Sequence, residues 1–111
     1  MIKFKDEIKE LRKNTIEIQY RNLYNKIEQR IIANIKKNVS NIENLSHEKI
    51  FCNMDFDTDD IKISNELCLK IVNEVFDKLD IKQCISDINF KYESNYQDSY
   101  YRLSFYYNVG V

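Results

Sequence analysis

From Ile2 to about Val39 the chain carries neither proline nor glycine, and its apolar residues recur three and four apart. Phe4, Ile8 and Leu11 are followed by Tyr20, Leu23, Tyr24, Ile27, Ile31 and Ile35. That spacing lays one apolar stripe along an amphipathic helix. Pairs such as Glu17 with Arg21, four apart, support the opposite face. Unbroken, roughly 36 residues of helix would reach roughly 54 Å, well beyond the width of a small domain. Part of it must then project or find a partner. The stripe weakens around Asn14 and Thr15, where Asn14 and Glu17 match a capping box, so the pattern also admits a break near residue 14.

After a polar linker, SNIENLSH, the period changes from helical to alternating. In KIFCNMDF, Ile50, Cys52, Met54 and Phe56 alternate with Phe51, Asn53 and Asp55, which is strand spacing. Ser64 is placed to cap a helix whose apolar face is Leu67, Cys68, Ile71, Val72, Val75, Phe76 and Leu79. Ile88, Phe90 and Tyr92 alternate again, SNYQDS supplies turn residues, and Tyr101, Leu103, Phe105 and Tyr107 complete a hairpin. The expectation is a single α+β domain over residues 1–111. It has a helical region to residue 46 and a β-α-β-β core from residue 47. The last strand should be central in a three-stranded sheet, the first two parallel to each other, with helix covering one face.

The segment from Ile50 to Asn108 carries the helix ISNELCLKIVNEVFDKLDI and the hairpin INFKYESNYQDSYYRLSFYY. In that order of elements it resembles small α-β-α-β-β proteins of tailed phages and large DNA viruses, and its Ile, Lys and Asn richness is similar to proteins of AT-rich genomes of that kind. The resemblance implies a virus-encoded virion or accessory component, in the host cytoplasm or the virion. It carries no catalytic motif and assigns no site residues.

Composition excludes several chemistries. With Pro absent and Gly110 the only glycine, no Gly-rich phosphate loop can form. Residues 1–49 hold 11 Lys/Arg against 7 Asp/Glu and residues 50–111 hold 6 against 11, leaving about +4 and −5. Neither half has the concentrated basic surface that phosphate binding needs, so nucleic acid is disfavoured as the main partner. No apolar run is long enough to span a membrane, and MIKFKDEIKE lacks the apolar core of a secretory signal. Cys52, Cys68 and Cys84 form no close pairs, which fits a reducing, intracellular setting. His47 and these cysteines lack zinc-site spacing.

The stretch DFDTDDIKISNE places Asp55, Asp57, Asp59 and Glu66 at four ligand positions of a calcium loop. Asp60 stands where such a loop needs Gly, and a strand precedes it, so helix initiation favoured by the dipole is the preferred account. The hairpin bears six of the eight tyrosines; Tyr92, Tyr101 and Tyr107 alternate towards the core. The other sheet face would carry Phe51, Tyr100, Arg102 and Tyr106 among Asn53, Asn89, Lys91 and Ser104. Either the N-terminal helix covers this face, or it is free to bind.

Exposed Tyr with Arg is the composition of protein interfaces. The expectation is therefore a non-enzymatic protein-binding or assembly protein, without a cofactor, whose partner is itself or another assembly component. The surfaces expected to serve it are that sheet face and the helix stripe, either at Tyr20, Leu23, Tyr24 and Ile27 or at Phe4, Ile8 and Leu11. Pairing of helices between copies would make it a homo-oligomer. Two alternatives stand beside this reading. One is nucleic-acid binding by the Tyr-bearing sheet with the basic helix, and the other a divalent-metal module at the acidic loop.

Overall fold

In the computed structural model, which describes residues 3–111, the order is α1 (Phe4–Val39), β1 (Lys49–Asp57), α2 (Asn65–Lys78), β2 (Ile85–Ser94) and β3 (Ser99–Asn108). Single 3-10 turns occupy Ile42–Asn44 and Lys82–Cys84. Ile2, the expected first helical residue, lies outside the described residues. The strands form one sheet in the order β1-β3-β2. β3 runs antiparallel to both neighbours, so β1 and β2 are parallel to each other, the arrangement that a strand–helix–strand crossover followed by a hairpin produces.

Each element forms for a local reason. β1 buries Ile50, Cys52, Met54 and Phe56 and exposes the residues between them, so the period-two pattern is realised in full. α2 starts where the Ser64 side chain accepts a hydrogen bond from the Leu67 amide at 3.3 Å. It buries Cys68, Ile71, Val72, Val75 and Phe76. It stops at a left-handed residue, Asp80, with φ of 56°. There the Ile81 amide bonds the Phe76 carbonyl at 3.1 Å and the Asp80 amide bonds that of Asp77 at 3.1 Å, a Schellman closure built on Asp where Gly is usual.

β2 contains a bulge that alternation alone does not reveal. The register to β3 shifts between Ser86 and Asn89, and Asp87 takes φ of 55°. Ile85 and Ile88, three apart, could not share a face in a regular strand; the extra residue lets both pack against the core. The hairpin turn is tied by Asn95, whose side-chain oxygen accepts from the amides of Gln97 (2.9 Å) and Asp98 (2.8 Å).

α1 is continuous. The Asn14–Glu17 capping box does not form; Thr15 sits mid-helix and its hydroxyl donates to the Leu11 carbonyl at 2.9 Å, satisfied within the helix. The expected break near residue 14 is therefore absent.

Both helices lie on the same face of the sheet. Leu23, Ile27 and Ile31 of α1 join α2, β1, Leu103 and Phe105 in one core, where Phe76 meets Phe105 edge-on at 5.1 Å. The described chain measures 66 × 38 × 19 Å, with a radius of gyration of 17.3 Å. A compact domain of this length would have about 13 Å. The excess is the projecting end of α1.

Candidate interaction surfaces

The second half of α1 is fixed to the body from several sides. The Tyr20 hydroxyl donates to Glu74 on α2 at 2.6 Å; burial and this bond push its pKa up to about 12. Glu28 receives Lys78 at 2.8 Å, and Lys26 reaches Asp60 in the loop after β1 at 2.6 Å. Arg30 lies over the Phe56 ring and donates to the Asp55 carbonyl at 2.9 Å, and Asn34 donates to the Asn53 carbonyl at 2.8 Å. Those carbonyls lie on β1, an outer strand of the sheet, so α1 also protects an edge that would otherwise template pairing.

Among the described residues, no hydrogen bond or ion pair joins the first half of α1 to the rest of the chain. Every residue from Lys3 to Gln19 is exposed, including Phe4 at 75%, Leu11 at 63% and Ile8 at 47%. At about 100° per residue, Phe4, Ile8, Leu11, Thr15 and Ile18 cluster on one side. Tyr20, Leu23, Tyr24, Ile27 and Ile31 cluster roughly 160° away. The helix thus carries two stripes on opposite faces, not the single stripe read from the spacing. The body covers the second and the first points away from it. This corrects the placement of an exposed stripe at Leu23 and Ile27: both are buried in the core, with Tyr20 and Tyr24 half-buried at its margin. Where the stripes change over, Ile16, Tyr20, Tyr24 and Leu67 line an open groove of about 500 Å³.

The other sheet face is left uncovered, because both helices pack on the opposite side. Phe51 faces Tyr106 across the β1–β3 pair with ring centroids 5.3 Å apart. Arg102 bonds Asp55 through two nitrogens, at 2.8 and 3.3 Å, and lies 5.1 Å from the Tyr100 ring centroid. The register thus brings together the four residues expected on this face. Phe51 is 49% exposed and the other three half-buried. Among the tyrosines expected in the core, Tyr101 and Tyr107 are half-buried, but Tyr92 is 50% exposed. It lies on an outer strand near the hairpin turn, where its ring meets that of Tyr101 edge-on, at 5.3 Å.

The acidic stretch is dispersed. Asp55 is held by Arg102, Asp60 by Lys26, and Asp59 stands 3.7 Å from Lys62, while Asp57 and Glu66 are exposed. Among the described residues no group of three or more His, Cys, Asp or Glu side chains is arranged to hold a metal ion. His47 is exposed in the linker. Cys52, Cys68 and Cys84 are free and buried; burial pushes the Cys52 and Cys68 thiols up to about 11, which suppresses the reactive thiolate. No helix among the described residues is long and apolar enough to cross a membrane. Against this geometry, no family model, curated protein or solved structure matches the chain.

Proposed function

We propose that this chain is a non-enzymatic assembly protein that presents the outward stripe of α1 to another protein, whether a second copy or a different component. The observation that carries the reading is the orientation of that stripe. Phe4, Ile8, Leu11 and Ile18 are exposed on the face of a continuous helix opposite to its own core. The body cannot cover them without unmaking the contacts at Tyr20, Lys26, Glu28 and Arg30. Monomers seldom leave contiguous apolar surface bare. The open sheet face, with Phe51, Tyr106 and Arg102, offers a second contact surface of protein-interface composition. The resemblance of residues 50–108 to small viral proteins makes a virion or accessory component the setting we favour.

Hydrogen exchange of the dilute chain tests the reading. Amides of residues 5–19 should exchange much faster than those of residues 23–35, whose side chains are packed. Equal protection of the two halves in a monomer would mean that the stripe is covered within the chain, and the reading would fail.

A further inference from the structure

Resting on that reading, we infer that the occupant of the outward stripe is a second copy of this chain, paired in parallel and in register as a short two-stranded coiled coil over Phe4–Ile18. The steps from Phe4 to Ile8, Leu11, Thr15 and Ile18 are four, three, four and three residues, the alternation of heptad positions d, a, d, a and d. β-Branched residues, Ile8 and Thr15, hold the a positions, and Leu11 holds the central d position. Ile8 beside Leu11 is the combination that favours two parallel strands; Phe4 and Ile18 at the outer d positions do not share that preference, so the choice of two strands rests on the central layers and on the flanking charges.

The flanking charges select the same orientation. In a parallel pair, position g of one helix meets position e of the partner five residues on, which sets Glu7 against the partner's Arg12 and, by symmetry, Arg12 against the partner's Glu7. An antiparallel pair that stacks Ile8 on the partner's Leu11 would instead bring Lys5 beside the partner's Arg12, a like-charge contact. Farther along, the seam continues through the uncharged, exposed Asn22, Asn25 and Gln29. There Arg21 would face the partner's Lys26, so tight pairing ends near Ile18.

Sterics agree. The body lies roughly 160° around the helix from the seam, so two bodies would flank the pair on its outer sides rather than collide.

Sedimentation of the full chain over a concentration series up to millimolar, with charge-swap variants, decides the matter. The wild type should form a dimer. Glu7→Lys and Arg12→Glu should each weaken it about tenfold by replacing two attractive contacts with two repulsive ones. An equimolar mixture of the two should regain wild-type affinity, because every cross-pair is then Lys with Glu or Arg with Glu. Thr15→Cys should crosslink to itself under mild oxidation, the three native thiols being buried. The side chains altered are exposed, so melting temperatures at dilution should match the wild type for Arg12→Glu and Thr15→Cys and fall only slightly for Glu7→Lys, which removes an acid from the first turn of α1.

A chain that stays monomeric to millimolar overturns the inference, as does a mixture that fails to recover. So does a dimer in which Thr15→Cys crosslinks only with Phe4→Cys, the antiparallel outcome. If the chain is monomeric while residues 5–19 still exchange rapidly, self-pairing fails but the assembly reading survives and requires a different protein.

Discussion

The division of α1 into a packed half and a bare half makes a quantitative contrast between two truncations on the same helix. Ile27 is fully buried, in contact with the shared core. Replacing it by Ala removes three carbon groups, about 2.4 kcal/mol at about 0.8 kcal/mol each. A residual cavity adds to this, because the Phe56 and Phe76 rings of the same core cannot follow a retreating side chain far, so about 3 to 4 kcal/mol is expected. Leu11 is 63% exposed and lies on the projecting half of α1, where every described residue from Lys3 to Gln19 is exposed. Leu11→Ala therefore loses little packing, and Ala is the slightly better helix former, so the change should be about 0.5 kcal/mol or less.

Urea unfolding followed by far-UV circular dichroism resolves the difference. With a slope of about 1.5 kcal/mol per molar, Ile27→Ala should lower the midpoint by about 2 M and Leu11→Ala by no more than about 0.3 M. The slope should stay constant in both. The measurement belongs at a concentration where the chain is monomeric, since a dimer would stabilise the folded state by mass action and lend Leu11 an apparent contribution. If Leu11→Ala in a dilute monomer cost as much as Ile27→Ala, the outward stripe would be packed inside the chain, and the two-face account of α1 would be refuted.

Three further outcomes follow from particular residues. Asp80→Gly should raise stability by up to about 1 kcal/mol, because the C-terminal residue of the α2 closure sits at positive φ, where a Cβ is strained; an unchanged or lower urea midpoint would contradict this. Stability should decline as pH rises from 9.0 towards about 11, because the folded state holds Cys52 and Cys68 protonated beyond their ordinary range. Tyr20 extends the loss between 10.0 and about 12, and unfolding midpoints that stay flat from pH 8 to 11 would count against it. Millimolar calcium or magnesium should leave the melting temperature unchanged, since Asp55 and Asp60 already hold Arg102 and Lys26. A site saturated at about 100 times its dissociation constant would add about 2.7 kcal/mol and be plainly visible.

How much of this could be read from the residues depends on which physical rule each feature obeys. β1 and α2 were legible because one partner layer covers each, so a single period describes their burial. The sheet face was legible for the same reason: once β1 and β3 alternate, Phe51, Tyr100, Arg102 and Tyr106 must share a side. Alternation fixes the face but not whether another layer reaches over it, which is why Tyr92 points with the core residues yet stands half-exposed. The β2 bulge was hidden because Asp87, not Gly, adopts the left-handed conformation. In α1, spacings of three and four hold within each segment, but Ile18 to Tyr20 is a step of two, about 200° around the helix. That step turns the apolar face over, and the weakening near Thr15 read as a break was its approach.

The same change of face explains how a bare helical end can be ordered at all. About 16 residues of solvated helix would be marginal alone, because nucleation is costly. Here the packed half from Tyr20 to Val39 supplies the nucleus, and each residue towards Phe4 needs only propagation. Asp6 and Glu7 in the first turn favour the dipole, but Lys3 provides no side-chain cap, so the far end is the least secured part of the helix. A partner seated on Phe4, Ile8 and Leu11 would therefore bind and order the same turns at once. The helix end is stable enough to display a stripe, and the surface it displays is the one whose burial would stabilise it further.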